Sequence, residues 1–141
     1  MTKLPKKRLK KPSAAVQRKR LIAACDKLWS QVVHKIWKNK CAWPGCDKTT
    51  SLSAHHFFGK KAYGFIARYE TDNSCLLCYY HHIGRVHQQG DVEPVREAII
   101  QRIGQERFDG MKIMVGATWI IKVDELQELK WQLEALLLKE F

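Results

Sequence analysis

The sequence has no long hydrophobic run, since no apolar stretch in its 141 residues approaches the roughly 20 needed to cross a bilayer. The N-terminus is rich in lysine and has no apolar run behind it, so a secretory signal is not expected. There are five cysteines, and an odd number argues against a disulfide framework. Together these absences predict thiolate metal ligands in a reducing compartment.

Acidic residues are scarce at the start of the chain. Asp26 is the one acid in residues 1–40, which hold 13 of the 25 Lys and Arg residues. This part carries a formal charge of +12, whereas residues 41–141 carry −1. A polyanion such as DNA is therefore the expected partner. A solubilising tail is the alternative, and a membrane surface is less favoured because residues 1–13 have few apolar anchors.

The length predicts one domain. The pattern of helical and extended stretches predicts the α+β class, mainly helical with a small pair of strands. Ser13 is expected to cap a helix whose apolar positions recur at helical spacing to about Lys38. Strands are expected at 51–58 and near 65–69, followed by a short helix. The predicted segments are a disordered basic tail (1–13), a basic amphipathic helix (14–40), a core with the metal-binding residues (41–90) and a C-terminal helical part of the same domain (91–141).

Two closely spaced pairs of soft metal ligands stand out. Cys41-x4-Cys46 is one pair and Cys78-x2-His81 is the other. Structural zinc takes four S or N ligands in a tetrahedron, usually supplied as two such pairs, so we predict one structural Zn²⁺ site. The alternative is that these are buried free cysteines, which pack as small hydrophobic residues. The two remaining cysteines are assigned to packing in the core: Cys25 and Cys75.

A second set of chemically active residues lies between these pairs and just after them: His55, His56, Asn73 and His82. Hydrolysis of a phosphodiester requires a base that deprotonates water and a cation that stabilises the leaving oxygen. Adjacent residues on a strand point to opposite faces. His55 and His56 can therefore serve one site only if the strand end is twisted or bulged; otherwise one of them serves it.

The order strand–turn–strand–helix with these residues resembles the ββα-metal core of HNH nucleases, also called the His-Me finger. The resemblance lies in Ala54-His55-His56, Asp72-Asn73 and Leu77-Cys78-x-x-His81-His82. It implies a zinc-stabilised core in which His56 is the general base and His55 and His82 bind a catalytic ion, Mg²⁺ or Mn²⁺. Asn73 would orient His56 or complete the site. His87 is a further possible ligand, although it lies five residues after His82, where an α-helical partner prefers three or four, and an exposed solvated histidine is the alternative.

Other stretches resemble the NinG/Rap family of bacteriophage recombination proteins: Arg68-Tyr-Glu-Thr-Asp-Asn73-Ser-Cys-Leu-Leu-Cys78, Ala98-Ile-Ile-Gln-Arg-Ile-Gly-Gln-Glu-Arg107, and Trp119 with the leucine-rich helix after it. This resemblance covers roughly residues 35–141. It implies an endonuclease that acts on branched DNA, such as Holliday junctions or D-loops, in the cytoplasm of a bacterial host, encoded by a phage or prophage. The chain departs from the family pattern in the four-residue gap of its first cysteine pair and at His55, His81 and His82, where Gly, Cys and Asn are expected.

DNA would lie against the hairpin in this mechanism, and four basic residues are expected to contact its phosphates: Lys60, Lys61, Arg68 and Arg85. The basic tail and first helix would add sequence-independent affinity. Selection by DNA shape is expected rather than base-specific readout. A nuclease of branched DNA often cuts two strands symmetrically, which favours a homodimer. The leucine stripe at 126–137 or the first helix would form it, and intramolecular core is the alternative for both.

Two other functions remain open from the sequence. One is a non-enzymatic, zinc-stabilised DNA-binding protein, acting as a recombination accessory or regulator. DNA binding alone does not require His55, His56 and Asn73 to surround a metal position. The other is an RNA-directed nuclease or RNA-binding protein, which competition with duplex RNA would reveal.

Overall fold

The structure is a computed structural model that describes residues 9–59, 67–115 and 120–141. It is mainly helical with a two-stranded antiparallel sheet, in agreement with the predicted α+β class. The helices are α1 (Ala14–Ile36), α2 (Tyr80–Gln88), α3 (Glu93–Ile103), α4 (Gln105–Val115) and α5 (Val123–Leu137), and the strands are β1 (Leu52–His56) and β2 (Ser74–Cys78). Within these residues, no helix combines the length and apolarity needed to span a membrane.

Helix α1 begins where the sequence predicts. The Ser13 hydroxyl accepts a hydrogen bond from the Val16 N–H at 3.3 Å, so the predicted cap is confirmed. The helix ends at Ile36, because Lys38 and Asn39 take left-handed φ values of 53° and 51° that no helix accommodates. Its buried stripe comprises Cys25, Trp29, Val32 and Val33.

The hairpin of β1 and β2 packs against different helices on its two faces. The strands are antiparallel, with Ala54 opposite Leu76 and His55 opposite Cys75. Leu76 belongs to the apolar cluster of α1 and α5, whereas Cys75 and Leu77 belong to the cluster of α3 and α4. Because successive residues of a strand point to opposite faces, the hairpin is the middle layer between these two groups of helices.

Helices α1 and α5 lie side by side and run in the same direction. Their polar contacts are Arg18 with the Ile121 carbonyl, Cys25 with the Leu126 carbonyl and Lys35 with the Leu137 carbonyl. Residue numbers rise together along both helices in these contacts, which defines a parallel pair. Leu126 and Leu133 are buried in the cluster that the pair shares. The two stripes considered as dimer surfaces thus pack against each other within one chain.

The second strand lies further along the chain than the sequence pattern predicts. The pattern places it near 65–69, but Ala67 and Arg68 are helical and the strand is Ser74–Cys78. All five residues of β2 are buried. A strand that is buried on both faces lacks the alternation of apolar and polar residues that identifies a half-exposed strand, and this is why the prediction was wrong.

Helices α3 and α4 cover one face of the hairpin. Helix α3 carries Pro94 in its first turn and ends at Ile103. The next residue, Gly104, has a φ of +87°, at which any residue with a side chain would be strained. Helix α4 follows in a segment whose sequence pattern is ambiguous. Phe108 and Met111 of α4 are buried in the same apolar cluster as Cys75, which closes the core on this side.

Helix α2 is wider than an α-helix. Its backbone hydrogen bonds follow the π pattern, in which residue i bonds residue i+5, over Tyr80–Gln88. In this pattern residues five apart lie on the same side of the helix, as His82 and His87 do. Most π-type hydrogen bonding in proteins is confined to single turns, which are frequent at functional sites.

Candidate metal centres and active site

The first metal centre consists of the two ligand pairs predicted from the sequence. The Sγ atoms of Cys41, Cys46 and Cys78 and a ring nitrogen of His81 all lie within 4.8 Å of one another. The Nδ1 atom of His81 is 3.2 Å from Cys78 Sγ and 3.6 Å from Cys41 Sγ. Tetrahedral ligands about 2.1–2.3 Å from a zinc ion would be separated by roughly 3.5–4 Å. These four residues could therefore hold a metal ion such as zinc.

Local backbone structure brings these ligands together. Between Cys41 and Cys46 the chain turns at Gly45, whose φ of +80° favours glycine, and the Cys46 N–H donates to the Trp43 carbonyl at 2.9 Å. The Cys78 N–H donates to Cys41 Sγ at 3.3 Å, which joins the end of β2 to this turn. Helix α2 begins just after Cys78 and supplies the histidine.

The charge state of the first centre depends on whether a cation is bound. Burial raises the pKa of Cys41 to about 11, so this thiol would stay neutral near pH 7 without a positive charge beside it. Burial acts on Cys78 as well, but hydrogen bonds from the His81 backbone and from Cys41 outweigh it and lower the pKa of Cys78. Zinc binds thiolates, and its charge would favour ionisation of Cys41 with release of a proton.

Trp43 and Arg85 cover the outer side of this centre. The Trp43 ring stacks on the His81 ring, with centroids 4.4 Å apart and an interplanar angle of 5°. The Arg85 guanidinium lies 5.2 Å from the Trp43 centroid and pairs with Asp91 at 2.5 Å. The contact of Arg85 with a DNA phosphate stays a prediction, and such a contact would compete with the ion pair to Asp91.

A second group of metal-binding side chains consists of three histidines from β1 and α2. One ring nitrogen of each of His55, His82 and His87 lies within 4.8 Å of the others, and the Nε2 atoms of His82 and His87 are 3.1 Å apart. Catalytic zinc sites often have three protein ligands of this kind and keep another position for water. Among the described residues, this group and the Cys3His group are the two that could hold a metal ion.

The width of α2 explains why His82 and His87 meet. In an α-helix, residues five apart point in different directions, and this spacing argues against His87 as a ligand. Because α2 is bonded in the i→i+5 pattern, the two side chains lie on one face. His55 approaches the same position from β1, with ring centroids 5.0 Å from His82 and 5.4 Å from His87.

Burial also determines the charge state of these histidines. It lowers the pKa of His55 to about 3, with added repulsion from the nearby His82 and His87, and it lowers the pKa of His82. Both rings are therefore neutral at pH 7, which is the form that binds a metal ion. Three imidazole ligands suit transition metal ions, whereas Mg²⁺ takes oxygen ligands. The ligand set would suit Zn²⁺, Fe²⁺, Cu²⁺ or Ni²⁺ best; of the two ions predicted from the resemblance, Mn²⁺, a first-row transition metal ion, accepts nitrogen ligands more readily than Mg²⁺.

His56 lies on the opposite face of β1 from His55. Its ring stacks on Trp29 of α1, with centroids 3.9 Å apart and an interplanar angle of 5°. His56 Nε2 is 2.8 Å from the Arg68 carbonyl oxygen. Since a carbonyl accepts but cannot donate, Nε2 carries the proton, and the basic lone pair of the neutral ring is on Nδ1. Within the described part of the chain, His56 does not join the three-histidine group.

Arg68 is largely buried and binds Asp26 of α1. Its Nε and Nη2 atoms donate to the two carboxylate oxygens of Asp26 at 3.0 and 2.5 Å, and its side chain is 17% exposed. The Tyr69 hydroxyl donates to the same carboxylate at 3.0 Å. The predicted phosphate contact of Arg68 stays a prediction, and such a contact would compete with the ion pair to Asp26, the one acid of the basic helix. The other two predicted contacts lie outside the described residues: Lys60 and Lys61.

Asn73 is fully buried and braces the loop between the strands. Its Oδ1 accepts from the Phe58 N–H at 2.7 Å, and its Nδ2 donates to the carbonyls of Phe58 and Ala67 at 3.0 and 2.9 Å. These bonds connect the end of β1 with the residues that precede β2. Asn73 was predicted to orient His56 or to complete the site; the contacts place it as a brace for the segment that contains His56.

Asn73→Ala is expected to destabilise the protein by about 3 kcal/mol, because it leaves several buried backbone groups without hydrogen-bond partners. Denaturant unfolding of the zinc-loaded protein would measure the change. Gln132→Ala, on the exposed face of α5, is the control and should change stability by less than about 0.5 kcal/mol. A loss below about 1 kcal/mol in Asn73→Ala would contradict the bracing role.

Trp29 is the residue of this region that sequence reasoning missed. Its position in the apolar stripe of α1 predicts core packing, and it is indeed 3% exposed. A tryptophan in such a stripe gives no signal of its partner, since contact with His56 depends on how α1 docks against the hairpin. Cys25 and Cys75, by contrast, are both fully buried, and their assignment to packing is confirmed.

Comparisons with known proteins give no match from which a function could be inferred. No protein-family model, curated protein or solved structure matches the chain. The resemblances to HNH nucleases and to the NinG/Rap family therefore remain expectations from the sequence motifs.

Proposed function

We propose that this chain is a metal-dependent DNA endonuclease of the HNH type. The observation that carries the proposal is the group of His55, His82 and His87, whose ligand nitrogens lie within 4.8 Å of one another. A closed structural zinc site has four protein ligands. This group has three among the described residues, and His87 is exposed. An ion held there would keep positions for water and for a substrate oxygen.

In the proposed reaction, the three metal-binding histidines and His56 would act together at the end of β1. An ion held by the three histidines would supply positive charge that stabilises the leaving oxygen. His56 would take a proton from the attacking water through Nδ1, while its Nε2–H stays bonded to the Arg68 carbonyl. His55 and His56 are consecutive, so their Cα atoms are about 3.8 Å apart. A phosphate lying across this strand end would therefore be close to both residues.

The Cys3His group would have a structural role in this scheme. Its four protein ligands leave no position for a substrate. His81 and His82 are consecutive, so a metal ion at the first centre would fix the start of the helix that presents His82 and His87. Asn73 would act from a distance, by holding the loop in place.

DNA is the proposed substrate because of the charge distribution. Residues 1–40 carry +12, and Lys19, Arg20 and Lys27 of α1 are exposed. Each phosphate they neutralise would contribute a slope of about −0.9 to the dependence of log K on log salt concentration. Preference for branched DNA, a role in phage-type recombination within a bacterial cytoplasm, and a homodimer follow from the motif resemblance and form the finer part of the proposal.

Cleavage of a labelled four-way junction and of a linear duplex, with Mn²⁺ and separately with Mg²⁺, tests the proposal. Wild type is expected to cut the junction faster than the linear duplex, and to cut it faster with Mn²⁺ than with Mg²⁺. His56→Ala should lower the rate by about 10²–10⁴, the usual contribution of a general base. His34→Ala is the matched control, since His34 of α1 bonds Asn39 at 3.3 Å and belongs to neither metal-binding group.

Each outcome separates the candidate functions. If neither DNA is cut while binding persists, the enzyme proposal fails and a zinc-stabilised DNA-binding accessory or regulator replaces it. Equal cutting of both substrates removes the junction preference but keeps the nuclease. A duplex RNA competitor that inhibits more strongly than duplex DNA would indicate an RNA-directed protein.

A further inference from the structure

Helix α1 holds the face of the His56 ring. The Trp29 indole lies flat against that ring, with centroids 3.9 Å apart and planes within 5° of parallel. Trp29 is itself fixed, because it is 3% exposed and its Nε1–H donates to the Glu70 carbonyl at 3.3 Å. The imidazole therefore rests on a rigid surface that restricts rotation about its side-chain bonds.

Helix α1 also holds the edge of the His56 ring, through Asp26, which acts by way of Arg68. His56 Nε2 donates to the carbonyl of Arg68, and the Arg68 guanidinium is bound by both carboxylate oxygens of Asp26. Asp26 and Trp29 are three residues apart on α1, so they lie on the same side of the helix. One turn of α1 thus controls both the plane of the imidazole and the peptide carbonyl that accepts its hydrogen bond.

On the basis of the proposed function, we infer that Trp29 is a positioning residue for His56, so that α1 forms part of the active site as well as a basic DNA-binding surface. The indole and the Arg68 carbonyl together fix the plane and the orientation of the His56 ring, and with them the position of Nδ1. The π-face of the indole also attracts the imidazolium that forms when the ring accepts a proton. Because a misplacement of about 1 Å can cost on the order of 10²-fold in rate, removal of this surface should act on the chemical step.

Single-turnover cleavage by Trp29→Leu and Trp29→Phe tests the inference. At saturating DNA, Trp29→Leu should lower the rate constant by about 10²-fold, with the half-saturating DNA concentration unchanged. Trp29→Phe keeps an aromatic face and should stay within about five-fold of wild type. Val32→Ala, buried in the same cluster, is the control for lost packing and should keep the wild-type rate constant below its melting temperature.

A double-mutant cycle separates positioning of His56 from general support of the fold. In a His56→Ala background, Trp29→Leu should have almost no further effect on the residual rate, because the group it positions is gone. A full additional loss there would overturn the inference. Equal losses in Trp29→Leu and Val32→Ala would overturn it as well.

The ring of His56 offers a readout that does not depend on cleavage. In ¹⁵N-labelled wild type, the ring should be a single Nε2–H tautomer whose proton signals are shifted upfield by the indole. In Trp29→Leu, the upfield shift should disappear and the second tautomer should become populated. If wild type does not cut DNA but shows these signals, the proposed function fails while the positioning contact stands. A mixed tautomer in wild type would overturn the contact itself.

Discussion

Cys46→Ala will deprive the chain of tightly held zinc and unfold the hairpin and α2 near room temperature. The four ligands of the first centre join the turn after α1, the end of β2 and the start of α2. In zinc-finger peptides such binding is worth on the order of 10–16 kcal/mol. A whole domain is stable by only about 5–15 kcal/mol. Loss of one of four ligands is therefore expected to remove most of the stability.

Cys25→Ala is the matched control for this prediction, because Cys25 is fully buried but lies outside the ligand group. It should keep one zinc per chain and lose only about 1 kcal/mol of stability, a typical cost for a core substitution. Metal content by mass spectrometry, circular dichroism and thermal unfolding with and without a chelator would measure both variants. If Cys46→Ala keeps its zinc and its melting temperature, the Cys3His centre is contradicted.

His82→Ala will abolish metal binding by the three histidines, and DNA cleavage with it, while the first centre keeps its zinc. The substitution removes a ring whose Nε2 lies 3.1 Å from that of His87, and two ligands hold an ion far less tightly than three. Affinity for Mn²⁺ should fall by at least about 10²-fold, since loss of a residue that only hydrogen-bonds to a metal ligand can already weaken metal affinity that much. Loss of the several kcal/mol that a metal ion supplies to the transition state corresponds to a rate about 10³-fold lower.

Equilibrium dialysis with Mn²⁺ and Co²⁺, together with junction cleavage, would measure this effect. Wild type should bind one zinc tightly and one further ion, and His34→Ala should match wild type in both. His87→Ala should weaken the second ion as well, because the wide helix brings His87 to the same position. Wild-type protein that is folded, zinc-loaded and unable to bind a second ion would show that the three histidines are not a metal centre.

Features governed by short-range chemistry could be read from the sequence. Ser13 and the apolar stripe after it predict α1, because capping and helical spacing depend on residues within a few positions. The two ligand pairs predict the Cys3His group for a similar reason. Each pair is closed by one turn of chain, so its members must be close wherever the pair lies in the fold.

Features governed by docking could not be read in this way. Helical packing on both faces of β2 removes the alternation that would identify the strand, so the pattern predicts it too early. Arg68 and Arg85 look like exposed cations in the sequence. The structure pairs them with Asp26 and Asp91, which local spacing does not reveal for Arg68 because 42 positions separate the partners.

The sequence by itself determined the residue types of both metal-binding groups, the first helix, and the excess of positive charge in the first 40 residues. Tertiary structure alone decided which of the predicted histidines lie close enough to share an ion. The i→i+5 hydrogen bonding of α2 brings His87 to His82, against the spacing rule for an α-helix. The docking of α1 places Trp29 under His56 while His55 faces the other way. Both outcomes depend on how distant segments pack, and the order of residues along the chain carries no direct record of that packing.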